Sequence, residues 1–168
     1  MTDAVRIRIA RPEDAAAVEL LLAASYPILM AAAYAPDALA AALAVMMRAN
    51  PRLLASGTFY LAVAGDGAVI GCGGWTRERP GTTVVDGTTG HIRHFATDPA
   101  CVRQGIGRAL ISHVVTCARA GGLTRLECYA SFNAEPFYAA CEFRRVDQVE
   151  IALEEGVLLP AVLMQRPI

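Results

Sequence analysis

"CVRQGIGRAL", residues Cys101 to Leu110, sets two glycines two apart, Gly105 and Gly107, between Arg103 and Arg108 at the opening of a helix-like run. Glycine is among the poorest helix formers, so this placement asks for another use. The first four N–H groups of a helix have no partner inside it, and the helix dipole adds positive potential there. Residues without a Cβ let an anion approach those donors closely, and flanking guanidiniums add charge beside it. The stretch differs from two common phosphate loops. Leu110 stands where a dinucleotide fingerprint has its third glycine, and no Lys-Ser or Lys-Thr follows as in a Walker-type loop. Alone, the turn reads either as an anion cradle or as a tight strand-to-helix turn that binds nothing.

Working outward, Ile106, Leu110, Ile111, Val114, Val115 and Ala118 form one helical stripe, and Gly121-Gly122 ends it. Before the turn, "TTGHIRHFATDP" reads as a strand closed by Asp98-Pro99, and after the helix "LTRLECYA" reads as another. "NAEPFYAAC" is a short helix with Asn133 as its expected N-cap. "FRRVDQVEIAL" and "LPAVLMQRP" are late strands joined by a turn at Glu154-Glu155-Gly156. Toward the N-terminus, Gly65-Asp66-Gly67 marks a hairpin between two β-rich runs. "VRIRIA" is a first strand, and Pro12-Glu13-Asp14 opens a helix with Val18, Leu21 and Leu22 on its apolar face. Pro36-Asp37 starts a second, Ala-rich helix expected to end near Asn50-Pro51. The order β-α-α-β-β-β-α-β-α-β-β predicts an α/β (α+β) fold: a mixed sheet of about seven strands with about four helices on its faces.

The 168 residues suit one domain spanning 1–168, and 55% hydrophobic with 18% charged residues excludes disorder. A net charge of −1 argues against a protein that lives on nucleic acid or an anionic membrane. Leu20 to Pro36 is uncharged, but Tyr26 and Pro27 interrupt it, and it reads as helix and connector rather than a membrane span. No apolar signal region opens the chain. The five cysteines, odd in number and without a C-x-x-C pair, read as reduced thiols in a cytoplasmic protein.

The span from "HIRHFATDPACVRQGIGRAL" through "NAEPFYAACEF" resembles the GNAT superfamily of acyl-CoA-dependent N-acyltransferases. That family's phosphate loop reads Gln/Arg-x-x-Gly-x-Gly/Ala. Val102-Arg103-Gln104-Gly105-Ile106-Gly107 matches its glycines and carries Val102 in place of the first polar residue. The family's Asn-Ala-x-x-Phe-Tyr-x-x-x-Gly-Phe is matched by Asn133, Ala134, Phe137, Tyr138 and Phe143, with Glu142 replacing the glycine. The resemblance implies a mostly antiparallel sheet splayed in the middle, with the pantetheine arm of acetyl-CoA in the gap. It places that arm on backbone groups of Phe95, Ala96 and Thr97, and the pyrophosphate on the N–H groups of Arg103, Gln104, Gly105, Ile106, Gly107 and Arg108.

It further implies direct transfer of the acetyl group to a primary amine in a ternary complex. Tyr138 occupies the general-acid position, with packing of the short helix as the alternative. His91 occupies the position, four residues before Phe95, where some members carry a basic Glu; the alternative is a half-exposed residue without a role. Asn133 either caps its helix, contacts the cofactor, or does both. No metal is expected: His91 and His94, three apart on a strand, point to opposite faces. Cys128 and Cys141 read as core thiols, since direct transfer needs no acyl-enzyme. Glu78 and Arg79 lie in a loop that could meet an acceptor, with surface charge as the simpler reading. The apolar first two helices suit an apolar acceptor, a homodimer face or ordinary core. The acceptor is expected to be a small-molecule or peptide amine. A non-catalytic acyl-CoA-binding sensor on the same fold is the alternative, and an unrelated α/β protein the third reading.

Overall fold

A computed structural model describes residues 4–168. Seven strands form one sheet in the order β1-β2-β3-β4-β5-β7-β6. They are β1 (Arg6–Ile9), β2 (Phe59–Val63), β3 (Val69–Thr76), β4 (Thr89–Thr97), β5 (Arg125–Ala130), β6 (Arg144–Glu154) and β7 (Val157–Pro167). Every neighbouring pair is antiparallel except β4 and β5. That parallel pair needs a crossover, which is α4 (Ile106–Ala120), the helix opened by the glycine turn.

The stripe predicted for α4 is the buried one: Ile106, Leu110, Ile111, Val114, Val115 and Ala118 all lie in the core with Tyr60, Trp75 and Leu126. On the opposite face, α1 (Ala15–Leu29) inserts Val18, Leu21 and Leu22 against Phe59, Leu61 and Cys72. The helix α2 (Pro36–Met46) seats Leu39 and Ala42 against Leu159 of β7. The sheet is thus the middle of three layers. No helix among the described residues is long and apolar enough to cross a membrane.

Two helix boundaries differ from the sequence reading. Pro27 does not interrupt α1, which runs through it to Leu29. A proline so close to the end forfeits one helical hydrogen bond only, while Tyr26 beside it is anchored on β4. The second helix stops at Met46, and Asn50 begins a new one. Its Oδ1 accepts from the N–H groups of Arg52 and Leu53, capping the short α3 (Pro51–Leu54). Asn-Pro is a start signal there, not a stop. Such a four-residue helix leaves too short a periodic pattern to read from sequence.

Candidate functional site

The chain leaves β4 through Asp98, whose carboxylate accepts the N–H of Ala100 at 2.8 Å and closes a single turn at Pro99–Cys101. It then reverses. Arg103 takes a φ of 62° and Gly105, at the N-cap of α4, a φ of 83°. This left-handed region is tolerated by glycine and strains other residues. The first bond inside α4 runs from Ala109 N–H to Gly105 C=O at 2.9 Å. Between them, none of the backbone N–H groups from Arg103 to Arg108 finds an acceptor among the described residues, and no side chain caps the helix. Gly107 is needed for closeness: a Cβ there would stand 2.9 Å from the Phe137 ring of α5 (Glu135–Ala140).

The strands β4 and β5 pair only over Thr89–His91 and Arg125–Glu127, then part. Two cavities occupy the opening. One, of about 700 Å³, runs from the glycine turn inward and is lined by Val102, Arg103, Gly105, Gly107, Phe137 and Asn133 among others. The other, of about 820 Å³, lies toward α2, α3 and the loop after β3. They share Tyr26, Met30, Phe95, Ser131, Ala134 and Tyr138, so these residues form their junction.

A β-bulge shapes this junction. Residues 93–96 of β4 oppose only residues 72–74 of β3, and the extra residue leaves His94 with a φ of 49°. Two bonds hold the bulge: the Cys72 thiol donates to the His94 carbonyl at 3.1 Å, and the Tyr26 hydroxyl donates to the Phe95 carbonyl at 3.2 Å. Past it, Asp98 N–H donates to Ile70. The alternation of an antiparallel ladder therefore turns the backbone groups of Ala96 toward Cys72 and those of Phe95 and Thr97 away from β3, toward the opening. Of the three residues expected to pair with an extended ligand, Ala96 is thus already engaged, and the Phe95 carbonyl is taken by Tyr26.

Tyr138 is buried on α5 with its ring edge-on to Phe95, Phe137 and Phe143, at centroid distances of 6.3, 5.1 and 5.4 Å. Its hydroxyl makes no hydrogen bond among the described residues, and the residue lines both cavities. Burial holds its phenol well above the ordinary tyrosine range, with the neighbouring Cys128 and Tyr26 adding to the effect. Packing and exposure to the junction are both true of this side chain.

Other predicted positions fall elsewhere. His91 is buried rather than half-exposed, lines neither cavity, and faces Glu127 across the parallel pair. Burial lowers its pKa, partly opposed by Glu127. Asn133 does not cap α5. Ala134 is the N-cap, and the Ser131 carbonyl takes the N–H groups of Ala134 and Glu135, leaving Asn133 on the cavity wall. Glu142, where glycine was expected, holds a left-handed φ of 69° and an ion pair to Arg166 at 2.8 Å. The five cysteines are free thiols, with Cys72, Cys128 and Cys141 buried. Arg79 reaches the wall of the larger cavity, as do Arg48, Arg93 and His94. Tyr26 and Arg93 escaped the sequence reading. Nothing local marks them, because the site joins elements far apart in the chain.

A family model for the acetyltransferase (GNAT) family matches residues 23–143. Among solved structures, the chain is similar to a GCN5-related N-acetyltransferase from Rhodopseudomonas palustris, with 22% identity over 100% of this chain and 97% of that one and a TM-score of 0.76. It is also similar to the PaiA N-acetyltransferase from Thermoplasma acidophilum in complex with coenzyme A, with 15% identity, 98% and 99% coverage and a TM-score of 0.75. N-acetylglutamate synthase from Neisseria gonorrhoeae, complexed with coenzyme A and N-acetyl-glutamate, shares 19% identity over 99% of this chain and 36% of its own, with a TM-score of 0.65. At these identities the likeness is one of fold.

Proposed function

The chain belongs to the GNAT acetyltransferase family, and on that premise we propose that it moves an acetyl group from acetyl-CoA directly to a primary amine. The observation that carries this reading is the row of N–H groups from Arg103 to Arg108 without an acceptor among the described residues, opening onto a cavity that leads to Tyr138. Donors with no acceptor at a helix N-terminus suit a diphosphate. Arg103 and Arg108 add charge beside it, the Gln104 side chain folds back toward Ala100, and Ile106 anchors the helix in the core. The pantetheine arm lies along the open edge of β4, pairing with the Phe95 N–H and the backbone groups of Thr97, with Asn133 on the opposite wall.

This pose carries the thioester to the junction, and the second cavity admits the amine. The amine nitrogen attacks the thioester carbon, the tetrahedral adduct collapses, and the carbon–sulfur bond breaks. The amide product forms, and the departing sulfur takes a proton from the Tyr138 hydroxyl. Its raised pKa keeps Tyr138 protonated at neutral pH and would make it a reluctant acid toward an ordinary thiolate. A thiolate released here meets the same desolvation, however: burial raises the neighbouring Cys128 thiol as well. Donor and acceptor are therefore shifted in the same direction. His91 lines neither cavity, so the nitrogen's proton passes to solvent in the larger cavity, and Tyr138 regains its own from the same solvent.

Calorimetric titration with acetyl-CoA, followed by thiol release over a panel of amines, tests this function. Saturable binding with amine-dependent thiol release is expected. Absence of binding overturns the cofactor reading, and binding without thiol release would leave an acyl-CoA-binding module.

A further inference from the structure

The larger cavity is unevenly charged. Arg48, Arg79 and Arg93 line it, against Glu150 alone among acids. Arg48 sits at the exposed rim and pairs with Glu154 at 3.7 Å. Arg79 is exposed on the loop after β3. Arg93 is different. It is half-buried on β4, two residues before Phe95 at the junction, and donates from Nη1 to the Thr76 hydroxyl at 3.2 Å. No carboxylate among the described residues comes within 4.0 Å of it. Glu78 acts on it only at longer range. A partly desolvated guanidinium with most donors unspent is costly unless something charged meets it, and its planar fork matches a carboxylate. Met30, Met46, Ile92 and Leu159 give the wall an apolar stretch, beside the polar Asn50, Thr82 and Ser131.

We infer that the acceptor is an amino acid with an apolar side chain, its carboxylate held by Arg93 and its amine directed to the junction beside Phe95 and Tyr138. This rests on the acyl-transfer reading above, in which the larger cavity takes the acceptor. Only the bulge residue His94 separates Arg93 from Phe95, so anion and nucleophile belong to one short molecule. Polyamines and lysine-rich peptides meet three guanidiniums and are repelled.

Thiol release at saturating acetyl-CoA is compared for leucine and phenylalanine against leucinamide and phenylalaninamide. The amides carry the less basic, more available amine, so intrinsic chemistry favours them. A kcat/KM at least about tenfold higher for the acids is expected. Arg93→Gln should collapse that preference, Arg93→Lys should retain part of it, and Arg79→Gln at the exposed rim should lower it less. A second readout needs no turnover: calorimetric binding of N-acetyl-leucine against its amide to the coenzyme A complex, expected to show the same preference and the same loss in Arg93→Gln. Equal use and equal binding of acids and amides would overturn the inference while leaving acyl transfer standing, as would a preference that survives Arg93→Gln. Acid-selective binding without any thiol release would instead overturn the acyl-transfer reading and keep Arg93 as an anion site.

Discussion

Replacing Gly107 by valine tests the cradle at its tightest point. A Cβ there stands 2.9 and 3.0 Å from Cε2 and Cζ of Phe137, whereas carbons pack comfortably at about 3.5–4.0 Å. The ring must therefore move by roughly 0.5–1 Å, and valine's two methyls enlarge the demand. Phe137 lines the smaller cavity and packs edge-on to Tyr138 at 5.1 Å, so its displacement is felt in the cavity proposed for the cofactor. Overpacking costs about 1–3 kcal/mol, and replacing a helical glycine returns about 0.5 kcal/mol. The variant should fold with about 1–2 kcal/mol less stability. If it misplaces one charge-assisted bond to the diphosphate, about 1.5–3 kcal/mol of binding is lost, which is about 10- to 150-fold in Kd. Calorimetric titration with acetyl-CoA measures this directly. Gly105→Ala is the control: a Cβ there meets nothing within 4 Å, but the φ of 83° remains. It should lose about 1–2 kcal/mol of stability through backbone strain and keep its affinity far better. A folded Gly107→Val protein with the parent Kd would refute the reasoning.

Tyr138→Phe keeps the aromatic packing and removes the proton; kcat should fall about a hundredfold with the Kd for acetyl-CoA nearly unchanged, and an intact kcat would end the acid assignment. His94 has its pKa pushed down to about 4 by burial and the adjacent Arg93 charge. The unfolded chain then binds the extra proton between about pH 6.5 and pH 4, and stability is lost as the pH is lowered through that window. The loss from pH 7 to pH 5 should be about 1–2 kcal/mol in urea unfolding and should shrink in His94→Asn, which tolerates the left-handed backbone; an unchanged slope would exclude His94 as its source. Cys101 lines the smaller cavity at intermediate exposure, so acetyl-CoA should slow its alkylation by iodoacetamide severalfold; equal rates with and without cofactor would place the ligand elsewhere.

The glycine turn and α4 were readable because their signals are local: the glycines at positions 105 and 107, and a strongly one-sided stripe from Ile106 to Ala118. The bulge was not. Nothing in "HIRHFAT" shows that β4 carries an extra residue against β3, the residue that leaves His94 in a left-handed conformation. Asn133 misled for a related reason: an asparagine before a helical pattern is a good cap, but a one-residue offset of the helix start gives that place to Ala134. Tyr26 lay in a stretch legible only as apolar helix, and its hydroxyl acquires meaning solely through a partner 69 positions away. Arg93 looked like one basic residue of an alternating strand. That no carboxylate among the described residues comes within 4.0 Å of it is a property of the assembled cavity.

The short parallel contact between β4 and β5 leaves two inward-facing strand edges with open hydrogen-bonding positions whenever the cleft is vacant. Unpaired edges are templates for pairing with another chain, so a cofactor bound as proposed would double as a plug. Concentrated samples stripped of coenzyme A should self-associate sooner, and scatter more light on storage, than samples kept saturated with it.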